Sequence, residues 1–160
     1  MIRLLVVCCV GLVACASSVA TAQEPIPYGA PITLAQARKV MAAAEAEATK
    51  QNWPVAIAIV DAGGHLVLFQ RLENTQLGSI EVALEKAKTS ALFRRPTKAF
   101  EDTLKDGGTS LRVLRLPKAL PIEGGLPILV DGKLIGAIGV SGVKATEDAQ
   151  VSAAGLAALK

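Results

Sequence analysis

Apolar residues recur at helical spacing from Leu34 through Ala37, Val40, Met41, Ala44 and Ala48, which predicts an amphipathic helix with one buried stripe. Its start is marked by Thr33 and Gln36, the spacing of a capping box, and its end by Asn52-Trp53-Pro54, because the residue before proline resists the α region. The pattern then changes. Val55 to Val60 is a continuous, β-branched apolar run and reads as a buried strand. Asp61-Ala62-Gly63-Gly64 supplies a tight turn, and His65 to Leu72 returns as a second strand, necessarily antiparallel because the connection is too short for a crossover. In that strand Leu66, Leu68, Gln70 and Leu72 form the more apolar face and are expected in the core. His65, Val67, Phe69 and Arg71 take the opposite one, with His65 and Arg71 about 20 Å apart at strand rise.

Helical spacing resumes from Gly78 to Phe93, with Ile80, Ala83, Leu84, Ala87 and Ala91 on one face. Pro96 stops it, and Thr97 is placed to cap a shorter helix through Leu104. A loop-rich middle follows, with a short strand expected near Leu111 to Leu114. Leu126 to Val130 and Lys133 to Val140 flank Asp131-Gly132, the dipeptide a type I′ turn prefers, and a last helix runs from about Thr146 to Leu159. Strands joined by hairpins, with helices between them, predict an α+β domain: an antiparallel sheet with helices packed on it.

The N-terminus is of another kind. Arg3 precedes an apolar stretch from Leu4 to Ala14, too short to span a bilayer, and Ala20-Thr21-Ala22 fits a signal-peptidase site. Residues 1–22 are therefore expected to be a signal peptide cut after Ala22, with residues 23–31 (Pro25, Pro27, Gly29, Pro31) an extended lead-in and 32–160 one domain. Leu12-Val13-Ala14-Cys15 offers a competing lipoprotein route with a signal over 1–14, a lipid anchor at Cys15 and residues 16–31 as a tether. Either way the product is expected to be periplasmic or secreted. All three cysteines (Cys8, Cys9, Cys15) lie in this leader, so the cleaved, soluble form would have no thiolate catalysis, zinc–thiolate site or disulfide. Loss of Arg3 takes a formal charge of +3 to near +2, a balance that argues against nucleic acid as a partner. No later segment is long and apolar enough to cross a membrane.

Chemistry-bearing motifs are sparse. Gly136 to Gly142 has G-x-x-G-x-x-G spacing and continues a hairpin strand, so it fails as a dinucleotide fingerprint; glycines admitting another backbone or a ligand are the better reading. Ser141 lacks the nucleophile-elbow spacing. His65, the only histidine, is either a surface residue beside a turn or an axial ligand or general acid/base. Lys86, Lys88, Arg94 and Arg95 suit a helix C-terminus through its dipole. Arg94 and Arg95 also suit an anion site, since the guanidinium fork binds carboxylate or phosphate bidentately, and Glu123 in Glu123-Gly124-Gly125 would join that site if it lay opposite them.

Read in order, Pro54–Asp61 with Ala62-Gly63-Gly64-His65-Leu66, Leu77-Gly78-Ser79-Ile80, Lys86-Ala87-Lys88-Thr89-Ser90-Ala91, Phe93-Arg94-Arg95-Pro96-Thr97, Glu123-Gly124-Gly125-Leu126-Pro127-Ile128 and Gly136 to Gly142 resemble the GlcG/HbpS haem-binding family. The likeness covers about residues 32–159. It implies a profilin-like fold with a five-stranded antiparallel sheet, homo-oligomers that are often octamers, and haem as cofactor, for sensing, storage or degradation. Other members sit in glycolate or diol metabolism. By the same resemblance His65 becomes the haem-iron ligand, while Arg94 and Arg95 would meet the propionates. The binding set then comprises His65, Arg94, Arg95, Glu123, Gly124, Gly125 and Ser141, with no catalytic residue assigned. The alternative is a binder of, or enzyme for, a small carboxylated metabolite using Arg94, Arg95 and Glu123. The only aromatics within the domain are Trp53, Phe69, Phe93 and Phe100, which favours a shallow or subunit-interface site.

Overall fold

The computed structural model describes residues 24–159. The expected signal peptide and the Cys15 anchor lie outside the described residues. Helix α1 (Leu34–Gln51) leads into strands β1 (Ala56–Asp61) and β2 (Leu66–Arg71), followed by α2 (Ser79–Phe93) and α3 (Lys98–Leu104). A 3-10 helix (Gly108–Arg115), strands β3 (Gly125–Val130) and β4 (Lys133–Ser141) and helix α4 (Ala145–Ala157) complete the order. The strands form one antiparallel sheet in the order β2-β1-β4-β3.

Local signals account for most boundaries. The α1 capping box forms, with the Gln36 amide donating to Thr33 Oγ1 at 3.2 Å and the Thr33 amide donating to Gln36 Oε1 at 2.9 Å. The β3–β4 turn has Asp131 and Gly132 at φ 50° and 71°, both positive as a type I′ turn requires. Thr97 does something other than the expected cap. Its hydroxyl accepts from the Gly125 amide at 2.9 Å and its own amide donates to the Gly125 carbonyl at 3.0 Å, tying the start of α3 to the start of β3.

The sheet is covered on both faces by side chains of different size. Val55, Ile57, Ile59, Ile128, Ile138 and Val140 meet α1 and Val151 of α4, whereas Ala56, Ala58, Val60 and Ala137 meet Ala83, Ala87 and Ala91 of α2. The period-two alternation along β1 and β4 thus separates a bulky face from a small one. Small residues let α2 lie almost on the strand backbone. A Cβ placed on Gly139 would overlap the Ala83 carbonyl oxygen and the Ala87 amide nitrogen. The glycine-rich strand therefore admits another backbone, one of the two options its sequence allowed.

Three expectations are corrected. The sheet has four strands among the described residues, not five. The segment near Leu111 to Leu114 is 3-10 helix rather than strand: no strand pairs with it, and its backbone closes on itself through bonds such as Ser110 N–H to the Gly107 carbonyl. On β2, a register shift opposite Ile59 and Val60 breaks the alternation. Val67 and Leu68 both pack towards the bulky core, Leu66 is turned out to 54% exposure, and Phe69 packs on the α2 side.

Gly139→Ala should therefore force α2 off the sheet and lower unfolding free energy by about 1–3 kcal/mol. Gly78→Ala, where an added Cβ meets nothing at φ −62°, should be neutral or stabilising by up to about 1 kcal/mol. Urea denaturation of the two variants checks the contrast.

Candidate functional site

The β1–β2 turn is built around one carboxylate. Asp61 Oδ1 accepts the Gly63 amide at 2.8 Å and the His65 amide at 2.9 Å, and both Asp61 oxygens lie within 3.3 Å of His65 Nδ1. Partial burial works against the charged carboxyl. The two amides and the imidazole outweigh it and hold Asp61 below its ordinary pKa. Its stabilising effect is complete above the unfolded value and is lost as pH falls through the lower folded one. The imidazole itself is 82% exposed. A carboxylate on Nδ1 selects the tautomer in which the neutral ring has its lone pair on Nε2, the one a metal ligand needs. The sequence marked Asp61 as a turn residue only; its spacing of four from His65 was the available signal. Gly64, at φ 82°, seats this turn against Lys88 and Leu92, one turn before α2 ends.

Arg94 and Arg95 stand where α2 stops. Arg94 is the left-handed C-cap at φ 53°; its Nη1 donates to the Ile26 carbonyl at 2.9 Å and its guanidinium lies 5.1 Å from the Tyr28 ring centroid. Arg95 stacks at 5.4 Å on Phe100, which meets Phe93 edge to face. Both arginines line an open cleft of about 590 Å³, with apolar walls from Ile26, Phe93, Pro127 and Leu129. Among the described residues neither makes an ion pair with a carboxylate. Glu123 is not brought into that cleft; its amide donates to Glu101 Oε2 at 2.7 Å.

Gly124, Gly125 and Ser141 belong to a different neighbourhood, inside the protein. Lys86, 1% exposed, donates to the Val140 carbonyl at 2.9 Å and to Asp148 Oδ2 at 2.8 Å. Asp148, also 1% exposed, accepts the Val143 amide at 3.2 Å. Gly124 sits against this pair at φ 123°, where a Cβ would lie 2.8 Å from Lys86 Nζ, while its carbonyl accepts from Ser152 Oγ and the Val140 amide. Ser141 Oγ lies 3.3 Å from Ser79 Oγ and is also buried. Burial pushes the Asp148 carboxyl above its ordinary pKa, with Lys86 opposing. This cluster was missed in the sequence, where Lys86 read as a helix-terminal cation. Its signal was position: Lys86 shares the small face of Ala83, Ala87 and Ser90, as Asp148 shares that of Val151, Ser152 and Gly155.

The seven residues singled out in the sequence thus fall into an oriented surface histidine, an arginine-lined cleft, the nearby loop residue Glu123 and a sealed polar interior. The class so defined is an α+β domain with helices on both faces of an antiparallel sheet and its accessible chemistry on the surface. Residues 32–157 match the family described as haem degrading protein HbpS-like, and the chain belongs to that family. It is 42% identical over 105 residues to protein GlcG of Escherichia coli strain K12, covering 66% of this chain and 77% of GlcG. Several crystal structures are similar to it. A double mutant of Streptomyces reticuli HbpS superposes with TM-score 0.76 at 28% identity, covering 92% of this chain and 99% of that one. A complex of PduOC with haem superposes at 0.74 with 27% identity, covering 81% and 96%.

Truncating one member of the buried pair strands the other charge, so Lys86→Met or Asp148→Leu alone should cost about 3–5 kcal/mol. The double variant should recover most of that loss. A double-mutant cycle in guanidinium chloride measures it.

Proposed function

We propose that this protein is exported and binds haem, with His65 as the iron ligand and the porphyrin held between copies of the chain. The observation that carries the reading is the Asp61–His65 pair, an exposed imidazole fixed by a carboxylate on Nδ1 with Nε2 free to coordinate. Family membership and the similarity to a haem-bound PduOC structure support haem over a bare metal ion. The donor set fits the group: a neutral imidazole for iron, and guanidinium N–H groups of Arg94 and Arg95 for carboxylates. Bound haem would supply a redox-active iron. The chain's own residues orient the imidazole, fix its tautomer and offer cations to the propionates. The scarcity of aromatic walls around His65 is the physical ground for placing the porphyrin at a subunit interface, in a homo-oligomer of which an octamer is one form. The binding set proposed is His65, Arg94 and Arg95. Glu123, Gly124, Gly125 and Ser141 serve the framework.

Haemin titrated into the protein should give a Soret band that His65→Ala loses or shifts, while Asp61→Ala keeps the histidine ligand and weakens affinity about 10–100-fold. An unchanged band in His65→Ala overturns the ligand assignment, and no band in the wild type overturns the haem reading. In the second case the arginine-lined cleft favours a small carboxylated metabolite. Melting temperature should then rise with small 2-hydroxy or 2-oxo acids and cease to respond in Arg94→Gln.

The export reading is supported by the signal-peptide pattern of residues 1–22. Mass spectrometry of the protein recovered outside the cytoplasm should give an N-terminus at Gln23; an acylated Cys15 would assign the lipoprotein route instead, and an intact Met1 would overturn export.

A further inference from the structure

The segment between α3 and β3 carries surface unlike the rest of the domain. In a 3-10 helix, residues three apart eclipse one another. Over Gly108–Arg115 this period sorts the side chains into stripes. Ser110 and Val113 are half-buried against the body of the protein; Leu111 and Leu114 are 49% and 59% exposed; Arg112 and Arg115 form the next stripe, also exposed, with Lys118 just beyond. The pattern is amphipathic towards solvent. It presents an apolar edge beside a cationic one, whereas a helix serving only the core turns its apolar stripe inwards.

The ridge is fastened rather than loose. Thr89 Oγ1 of α2 accepts from the Leu120 amide at 2.9 Å, and its single hydrogen is shared between the Glu85 carbonyl at 2.8 Å and the Lys118 carbonyl at 3.1 Å, so the far end of the segment is clasped to the helix beneath it. Charge is concentrated here as well. Residues 105–122 contain four cations and one acid in a chain whose formal net charge is +3. Lys105 is bound to Asp102, which leaves Arg112, Arg115 and Lys118 without an ion pair among the described residues.

We propose that the 3-10 ridge docks the protein on an anionic lipid surface, with Leu111 and Leu114 entering the headgroup boundary and Arg112, Arg115 and Lys118 meeting lipid phosphates. A surface offering apolar depth next to dense negative charge matches both stripes at once. Docking against a second copy through the same patch is disfavoured, because a twofold contact would bring Arg112, Arg115 and Lys118 of both copies, without an ion pair among the described residues, into one interface and concentrate like charge there. Nucleic acid would match the cations and leave the leucines in water.

The test is flotation with vesicles of phosphatidylglycerol and phosphatidylcholine, using protein as the cell processes it in a Cys15→Ala background so that no acyl anchor contributes. Wild-type protein should float with vesicles rich in phosphatidylglycerol, stay behind with pure phosphatidylcholine, and release as salt is raised. Each neutralised cation should weaken partitioning about fivefold. The triple variant Arg112→Gln/Arg115→Gln/Lys118→Gln should therefore lose it, and Leu111→Ser/Leu114→Ser should lose the fraction that survives moderate salt. Circular dichroism and melting temperature near wild type show that the variants are folded. Equal partitioning to neutral and anionic vesicles, no partitioning at all, or unaltered partitioning of the folded charge variant overturns the proposal. A change in oligomer mass in the leucine variant with vesicle binding unaltered also overturns it and assigns the ridge to contact between copies.

Discussion

The packing of this domain turns on an ion pair that water does not reach. Lys86 leaves α2, passes the face of Gly124 and ends on two acceptors, the Val140 carbonyl of β4 and the Asp148 carboxylate of α4. α2 is thereby held at one point to two elements more than 50 residues further along the chain, and Gly124, which accepts from Val140 and Ser152, joins the entry to β3. A buried pair contributes little net stability, because desolvation offsets most of the Coulomb attraction. Its value here is positional. The interface between α2 and the sheet consists largely of alanines and glycines, which pack closely but offer few knobs to fix the sliding of a helix over a strand. Lys86 supplies that registration, since only one translation of α2 brings its ammonium to both acceptors.

The small face of the sheet explains why the same sequence motifs were readable in fold and misleading in function. Gly136 to Gly142, and Glu123-Gly124-Gly125, have the look of ligand-cradling loops. Gly139 and Gly125 instead make room for the backbone of α2, and Gly124 makes room for the Lys86 ammonium. A glycine answers a close approach without saying what approaches, and in this domain the neighbour is the chain itself.

What could be read from the sequence follows the range of the physics involved. Capping, hairpin turns and helical periodicity depend on residues a few positions apart, so α1, β1, β3, β4 and both longer later helices were legible with small boundary errors. Three features were not. The 3-10 segment lacked a strand partner that no local pattern could reveal, and β2 lost its alternation to a register shift set by β1. The Lys86–Asp148 pair joins residues 62 positions apart. Of the proposed site, His65 was visible as the single histidine, but its carboxylate partner was hidden in plain sight as the first residue of a turn. The failure at Glu123 is of the long-range kind: its loop was assigned to the arginines by chemistry, and the fold gives its amide to Glu101.

The distribution of polar groups constrains how any ligand is handled. The strongest internal electrostatics, around Lys86, is fully paired and closed, so it cannot contribute to binding without unfolding the interface it registers. The accessible groups lie on or near the α2 C-terminal end: the Asp61-oriented imidazole on the turn whose Gly64 abuts Lys88 and Leu92, and the two arginines just beyond. α2 therefore connects a rigid interior anchor to a surface array, and its fixed register transmits position from the first to the second. On the haem reading this lends a shallow site its precision. On that reading a porphyrin would gain little burial from one copy of such a surface, and its affinity would rest on the oriented ligand and on the apolar surface of the proposed second copy. The placement of the imidazole turn and of the arginines depends on α2 staying where Lys86 holds it.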